Sequence, residues 1–178
     1  LEIQDTLESL KNNNIHNILA LRGDFPKDMD STDIRNLEYK YAKDLVVDIK
    51  AAKHFNIGAA AYPEGHIESD NIFSDIRNLK EKVDTGVDFL ITQLFFDNEI
   101  FYDFLEKLDK SNITIPIIAG IIPVLNKNQI ERIVQLSGAS LPKKFIKILE
   151  KYSDNPDALK EAGIAYATEQ IIDLLSSK

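Results

Sequence analysis

Cysteine and tryptophan are both missing from the 178 residues. Without a thiol there is no disulfide framework and no thiolate metal site, and any redox chemistry here needs a bound cofactor; the same absence fits a reducing cytoplasm. Basic residues are in deficit, since 21 Lys and Arg stand against 29 Asp and Glu for a net charge of −8 and a pI near 4.9. Phosphate-backbone binding needs clustered cations, and those present are interleaved with acids, so nucleic acid is not an expected partner. No apolar run exceeds strand length and no basic-then-apolar leader opens the chain, so neither a membrane span nor a signal peptide is expected. Also missing are a G-x-G-x-x-G or a G-x-x-x-x-G-K-[ST] after any strand-like run, which removes the sequence basis for the common nucleotide loops. The chain opens on Leu1 inside an amphipathic pattern with Leu7 and Leu10, from which further upstream sequence is expected.

What is present is a 44% hydrophobic chain of a length that can bury its own core. Four short apolar runs stand out at 17–21, 57–62, 89–93 and 116–122, each apolar nearly throughout, as strands covered on both faces should be. Helical patterns separate them, at roughly 37–54 (Leu45, Ile49), 70–85 (Ile72, Ile76, Leu79, Val83), 98–110 (Phe101, Phe104, Leu105, Leu108) and 127–137 (Ile130, Ile133, Val134). After Pro142 the pattern is wholly helical, with segments near 142–151 and 156–176, the second starting at the cap signal Asn155-Pro156-Asp157. Alternating strands and helices predict a parallel α/β sheet. The preferred architecture is a (β/α)8 TIM barrel, of which residues 1–178 form one partial domain: a complete barrel takes about 250 residues, and only four strands are legible.

In such a barrel the residues just past each strand face the active-site mouth. The first run ends in Arg22-Gly23-Asp24, a cation and a carboxylate around a glycine that lets backbone approach a ligand closely; a surface ion pair and turn is an equal reading. The second ends in Tyr62-Pro63-Glu64-Gly65-His66-Ile67-Glu68. Alternation would align Glu64, His66 and Glu68 as metal ligands, but proline and glycine break the segment, so a polar loop for an organic ligand is preferred and no metal is expected. The third ends in Thr92-Gln93-Leu94-Phe95-Phe96-Asp97, an amide and two aromatics suited to a flat heterocycle, with plain core packing the alternative for the phenylalanines. The fourth carries no reactive group, with Gln129 further along, by default a surface amide. Asp75, Asn78 and Lys82 form a polar stripe beside the apolar one of their helix, able to hold phosphate and ribose or to be simply solvated.

Together and in this order these segments resemble the methylenetetrahydrofolate reductases: Asn17-Ile18-Leu19-Ala20-Leu21-Arg22-Gly23-Asp24, then Ala60-Ala61-Tyr62-Pro63-Glu64-x-His66-x-Glu68, then Asn78-Leu79-x-x-Lys82-Val83-Asp84-x-Gly86, then Ile91-Thr92-Gln93-x-Phe95-Phe96-Asp97, then Gly120-Ile121-Ile122-Pro123-Val124. The resemblance implies a TIM barrel of which this chain covers about strands 4 to 7 and the following helices. It implies FAD bound at the strand carboxyl ends, reduced by NAD(P)H, with hydride passed to 5,10-methylenetetrahydrofolate to give 5-methyltetrahydrofolate. By position Arg22, Gly23, Asp24, Tyr41, Ala42, Tyr62 and His66 would contact FAD, and Asp75, Asn78 and Lys82 would take its adenosine and pyrophosphate end. Asp24 would favour the cationic iminium form of the folate, and Gln93 and Gln129 would hydrogen-bond the pterin.

The departures are specific. The family's glutamate general acid and its last-strand substrate arginine have no counterpart in these residues, Glu81 sits where a basic residue can occur, and Ile133 where an aromatic can stack on substrate. Cytoplasmic localisation, a folate substrate and a homo-oligomeric complete protein are the remaining expectations. Two rivals stand beside them: a non-catalytic or split half-barrel that acts by pairing with another chain, and another FAD barrel such as a proline dehydrogenase-like enzyme.

Overall fold

The computed structural model describes residues 2–23 and 37–177. Among them the order is α1 (Glu2–Asn12), β1 (Asn17–Ala20), α2 (Ala42–Ala51), β2 (Asn56–Ala61), α3 (Ile72–Asp84), β3 (Phe89–Thr92), α4 (Asn98–Lys110), β4 (Ile117–Ile118), α5 (Lys127–Ser137), α6 (Lys143–Lys151) and α7 (Pro156–Ser176). The four strands are all parallel and lie in chain order β1-β2-β3-β4. The register sets Asn17 opposite Asn56, Gly58 opposite Phe89 and Leu90 opposite Ile117. A doubly wound sheet reverses its order at a switch point; among the described strands there is no reversal.

Helix starts follow from side chains that take up the unpaired first-turn N–H groups. The Asn71 side chain accepts from the N–H groups of Phe73 and Ser74 at 3.0 Å each, opening α3. Asp97 accepts from Glu99 N–H at 3.1 Å to open α4, Asn126 from Gln129 N–H at 2.9 Å to open α5, and Asn155 from Ala158 N–H at 3.1 Å to open α7, with Pro156 in its first turn. α5 stops at Gly138, whose φ of 68° is left-handed backbone that glycine adopts at little cost.

Alternate strand residues point to opposite faces, and here the two faces differ. Ala20, Ile57, Ala59, Ala61 and Leu90 lie on one face and are buried, packed with Leu7 of α1, Val46 and Ile49 of α2, Ile76 and Leu79 of α3, and Phe101, Phe104 and Leu108 of α4. Leu19, Phe89, Ile91 and Ile118 share the other face, outside that cluster, with Leu19 42% and Ile118 51% exposed. The near-continuous apolar runs therefore have one helix-covered face and one half-open face, rather than two covered ones. On the open face the Phe89 ring crosses Gly58, so that a Cβ at 58 would fall 2.6 Å from it. β4 is shorter than its apolar run because pairing with β3 ends at Ile118, after which Gly120 N–H donates to Thr92 Oγ1 at 2.9 Å.

The long α7 packs beside the segment that follows β3. A smaller core of Phe96, Val124, Ile130, Ala139 and Phe145 lies there, with the Phe145 ring 5.2 Å from that of Phe96 and 4.3 Å from that of Tyr166. Tyr166 donates to the Phe96 carbonyl at 2.6 Å and Gln170 to the Phe95 carbonyl at 3.3 Å, so α7 is fastened to the backbone just beyond β3. Gly163 lets it come closer still, since a Cβ there would fall 1.8 Å from the Val124 carbonyl oxygen. Among the described residues no helix is long and apolar enough to cross a membrane.

Candidate functional site

The strand carboxyl ends open onto a cavity of about 650 Å³, a size typical of small-ligand sites. Small side chains make the room: Ala20 ends β1, and Ala60 and Ala61 end β2. Arg22 and Gly23 after β1, Tyr41 and Ala42 at the start of α2, Tyr62 and His66 after β2, and Asp75, Asn78 and Lys82 on α3 all line it. Asp24 lies outside the described residues.

Ion pairs and hydrogen bonds fix this lining. The Arg22 guanidinium donates to both carboxylate oxygens of Glu68 at 2.9 Å each, joining the end of β1 to the loop after β2. That bidentate bond holds the Glu68 carboxyl below its ordinary range against the opposing effect of partial burial. Glu68 also acts through its backbone, donating its N–H to His66 Nδ1 at 3.1 Å, which leaves the ring proton on Nε2. The His66 ring meets that of Tyr62 edge-on, 4.6 Å between centroids. The sharp bend at Gly65, φ 89°, separates the residues that strict alternation would have aligned. Glu64 turns instead to the loop after α5, where both its oxygens accept from Ser140 N–H at 3.0 and 3.1 Å. Among the described residues no three His, Asp or Glu side chains gather as metal ligands.

On α3 the polar stripe is divided between cavity and solvent. Asp75 is buried and accepts from Ser69 Oγ at 2.9 Å. Lys82 reaches inward to donate to the Ala60 carbonyl at 2.7 Å, and burial pushes its ammonium below the ordinary lysine range, partly offset by the Asp75 charge. Asn78 is exposed at the rim. Lys43, which the sequence reading passed over, also lines the cavity and pairs with Glu81 of α3 at 2.9 Å. Its one sequence signal was adjacency to Tyr41-Ala42.

The two glutamines lie apart from this cavity. Gln93 borders a narrow recess with Leu94 and Ala139, and its side-chain oxygen accepts from Leu94 N–H at 2.9 Å. Tyr62 belongs to both recess and cavity. Gln129 folds back on the entry to its own helix, accepting from Leu125 N–H at 2.7 Å and donating to the Pro123 carbonyl at 3.4 Å.

The family model for methylenetetrahydrofolate reductase matches residues 1–178. Methylenetetrahydrofolate reductase (NADH) 1 of Arabidopsis thaliana is 36% identical over 186 residues, covering 98% of this chain and 31% of the plant protein. The 5,10-methylenetetrahydrofolate reductase of Buchnera aphidicola is 37% identical over 163 residues, 91% of this chain and 53% of the relative. The chain thus spans about a third of the length of the first and about half of the second. A solved structure from Clostridium thermocellum, of a protein that binds two copies of 5-methyl-5,6,7,8-tetrahydrofolic acid, superposes with a TM-score of 0.56 at 20% identity, over 75% of this chain and 46% of that one, a likeness of fold. The match over the whole chain and the identity to both reductases lead to one conclusion: the chain belongs to the methylenetetrahydrofolate reductase family.

Proposed function

We propose that the chain is part of a (β/α)8 TIM barrel, about strands 4 to 7 with the helices that follow, in an oxidoreductase that reduces 5,10-methylenetetrahydrofolate to 5-methyltetrahydrofolate with FAD and NAD(P)H. The observation that carries this reading is the convergence of Arg22, Gly23, Tyr41, Ala42, Tyr62, His66, Asp75, Asn78 and Lys82 on one cavity at the strand carboxyl ends. The barrel is supported by the unreversed strand order and, among the described residues, by helices packed on one sheet face, the other being apolar and half-open as a barrel interior is before closure. The folate-binding Clostridium protein of similar fold, and relatives named for NADH and for NADPH, support the substrate and the nicotinamide. We place the complete protein in the cytoplasm, as a homo-oligomer.

The donor set fits FAD. A diphosphate needs a cation shielded from water, and Lys82 is a mostly buried ammonium whose desolvation an anion would relieve. Asp75 and Asn78, on the same face of α3, offer an acceptor and an amide for a ribose. Bound FAD would supply the two-electron relay from nicotinamide to folate. The residues around it do the rest. Arg22 is held rigid by Glu68 and presents fixed donors, and His66 keeps its proton on Nε2. Asp24 favours the cationic iminium form of the substrate by its charge. Gln93, its oxygen occupied by Leu94, offers its NH2 to the pterin from beside Tyr62, and Gln129 adds a second amide only by giving up its long bond to the Pro123 carbonyl.

The test uses the full-length protein: FAD co-purification, then NAD(P)H oxidation with 5,10-methylenetetrahydrofolate as the electron acceptor and, in a separate assay without nicotinamide, proline oxidation coupled to an artificial electron acceptor. Folate-dependent turnover is expected. A folded protein that takes up no FAD, or one that acts on proline alone, overturns the reading. The half-open sheet face also favours a split barrel completed by another chain; light scattering distinguishes that arrangement, which requires a hetero-complex.

A further inference from the structure

We propose that Lys43 is a ligand-contact residue of the cavity, a second ammonium beside Lys82 for the diphosphate of a dinucleotide, and that Glu81 holds it at the rim until that ligand arrives. The inference rests on the reading of the cavity as a dinucleotide site. Arg22, Lys43 and Lys82 all line that cavity, but they are committed to their present partners to different degrees. Arg22 is bound through two bonds to Glu68, with its side chain only 17% exposed. Lys82 is partly buried, bonded to the Ala60 carbonyl, and part of its charge is answered by Asp75. Lys43 has a single bond to Glu81, between side chains 37% and 52% exposed. Exposed pairs of this kind are weak, so exchanging the Glu81 oxygen for a phosphate oxygen costs little.

Charge balance gives Lys43 its part. A diphosphate diester carries two negative charges at neutral pH, and Lys82 supplies one positive charge already shared with Asp75. The nearby Tyr41 ring adds an aromatic surface, with the Lys40 and Lys43 ammonium groups 5.4 and 5.8 Å from its centre. Lys43 holds the Glu81 carboxyl below its ordinary range, so Glu81 remains a charged competitor for the ammonium at working pH. The two residues therefore act with opposite sign on an anionic ligand. A merely structural ion pair would act with one sign, because removing either member breaks the same bond.

The experiment titrates the full-length apoprotein with FAD and, as a phosphate-free probe, with riboflavin. Lys43→Ala is expected to weaken FAD binding on the order of tenfold and to leave riboflavin unchanged. Glu81→Gln is expected to tighten FAD binding by roughly threefold, an effect that shrinks in the Lys43→Ala background, while Lys43→Arg retains wild-type affinity. Both positions are on the surface, and unchanged melting curves check that the variants fold. If Lys43→Ala and Glu81→Gln shift FAD affinity in the same direction, or riboflavin binding falls with that of FAD, the assignment of Lys43 is overturned. Wild-type protein that binds neither flavin overturns the dinucleotide reading itself, whereas wild-type FAD binding with unaltered variants overturns Lys43 alone.

Discussion

Gly163→Ala sets two physical effects against each other, and the structure says which wins. Gly163 lies inside α7, where alanine is the better helix former by about 1 kcal/mol, so helix propensity alone makes the change stabilising. The new Cβ would fall 1.8 Å from the Val124 carbonyl oxygen and 2.9 Å from its carbon, both backbone atoms that no rotamer change can move. α7 cannot slide away freely either, because Tyr166 and Gln170 on the same face bind the Phe96 and Phe95 carbonyls. Overpacking a tight interior costs about 1–3 kcal/mol, and contact this close with backbone belongs at the upper end. Subtracting the propensity gain leaves a net loss of about 2 kcal/mol, or a Tm about 4–8 °C lower for a domain of this size. Thermal and urea unfolding of the full-length protein measure it, with exposed Ala165→Gly on the same helix as a propensity control expected to lose about 1 kcal/mol. A Gly163→Ala variant as stable as wild type, or more so, would refute the close approach of α7 to Val124.

Three further outcomes follow from the same geometry. Burial lowers the Lys82 ammonium below 10.5, so in the apoprotein the folded state loses its proton first, and stability relative to Lys82→Met should rise as pH climbs through the lowered value toward 10.5; denaturant midpoints across alkaline pH check this, and added FAD should flatten the slope. The Arg22–Glu68 pair stabilises fully above the ordinary carboxyl value of 4.5 and is lost as pH falls through the lowered one, so the gap between wild type and Glu68→Gln, under about 1 kcal/mol for so exposed a carboxylate, should close in acid; a gap that widens there contradicts the pairing. Tyr166→Phe removes the bond to the Phe96 carbonyl and should cost about 1 kcal/mol in the same unfolding assays.

The periodic parts of the fold were legible because hydrophobic spacing and capping chemistry act locally. Asn155-Pro156-Asp157 marks the start of α7 within the sequence, and Asn155 caps it in the structure. Which sheet face is covered was not legible, since apolar runs such as 57–62 look alike whether one face or both meet helices. The end of β4 was obscured likewise, because Gly120 and Thr92 end the pairing through a contact distant in sequence. At the site, helical spacing brought out the stripe on α3 and the resemblance gave it a role, but only three dimensions separate buried Asp75 and inward Lys82 from exposed Asn78. Lys43 escaped notice because its partner Glu81 lies on another helix. Glu68 was legible as a member of the loop motif after the second strand and as one possible metal ligand, but its service to Arg22 and His66 depends on the bend at Gly65.

The wiring of the sheet bears on how the molecule is made. Because each strand pairs with the one synthesised just before it, residue 17 facing 56, 58 facing 89 and 90 facing 117, a growing chain can dock each new βα unit onto a finished neighbour as it emerges. Among the described strands none has to wait for a distant partner, which shortens the time its unpaired edge is open to other chains.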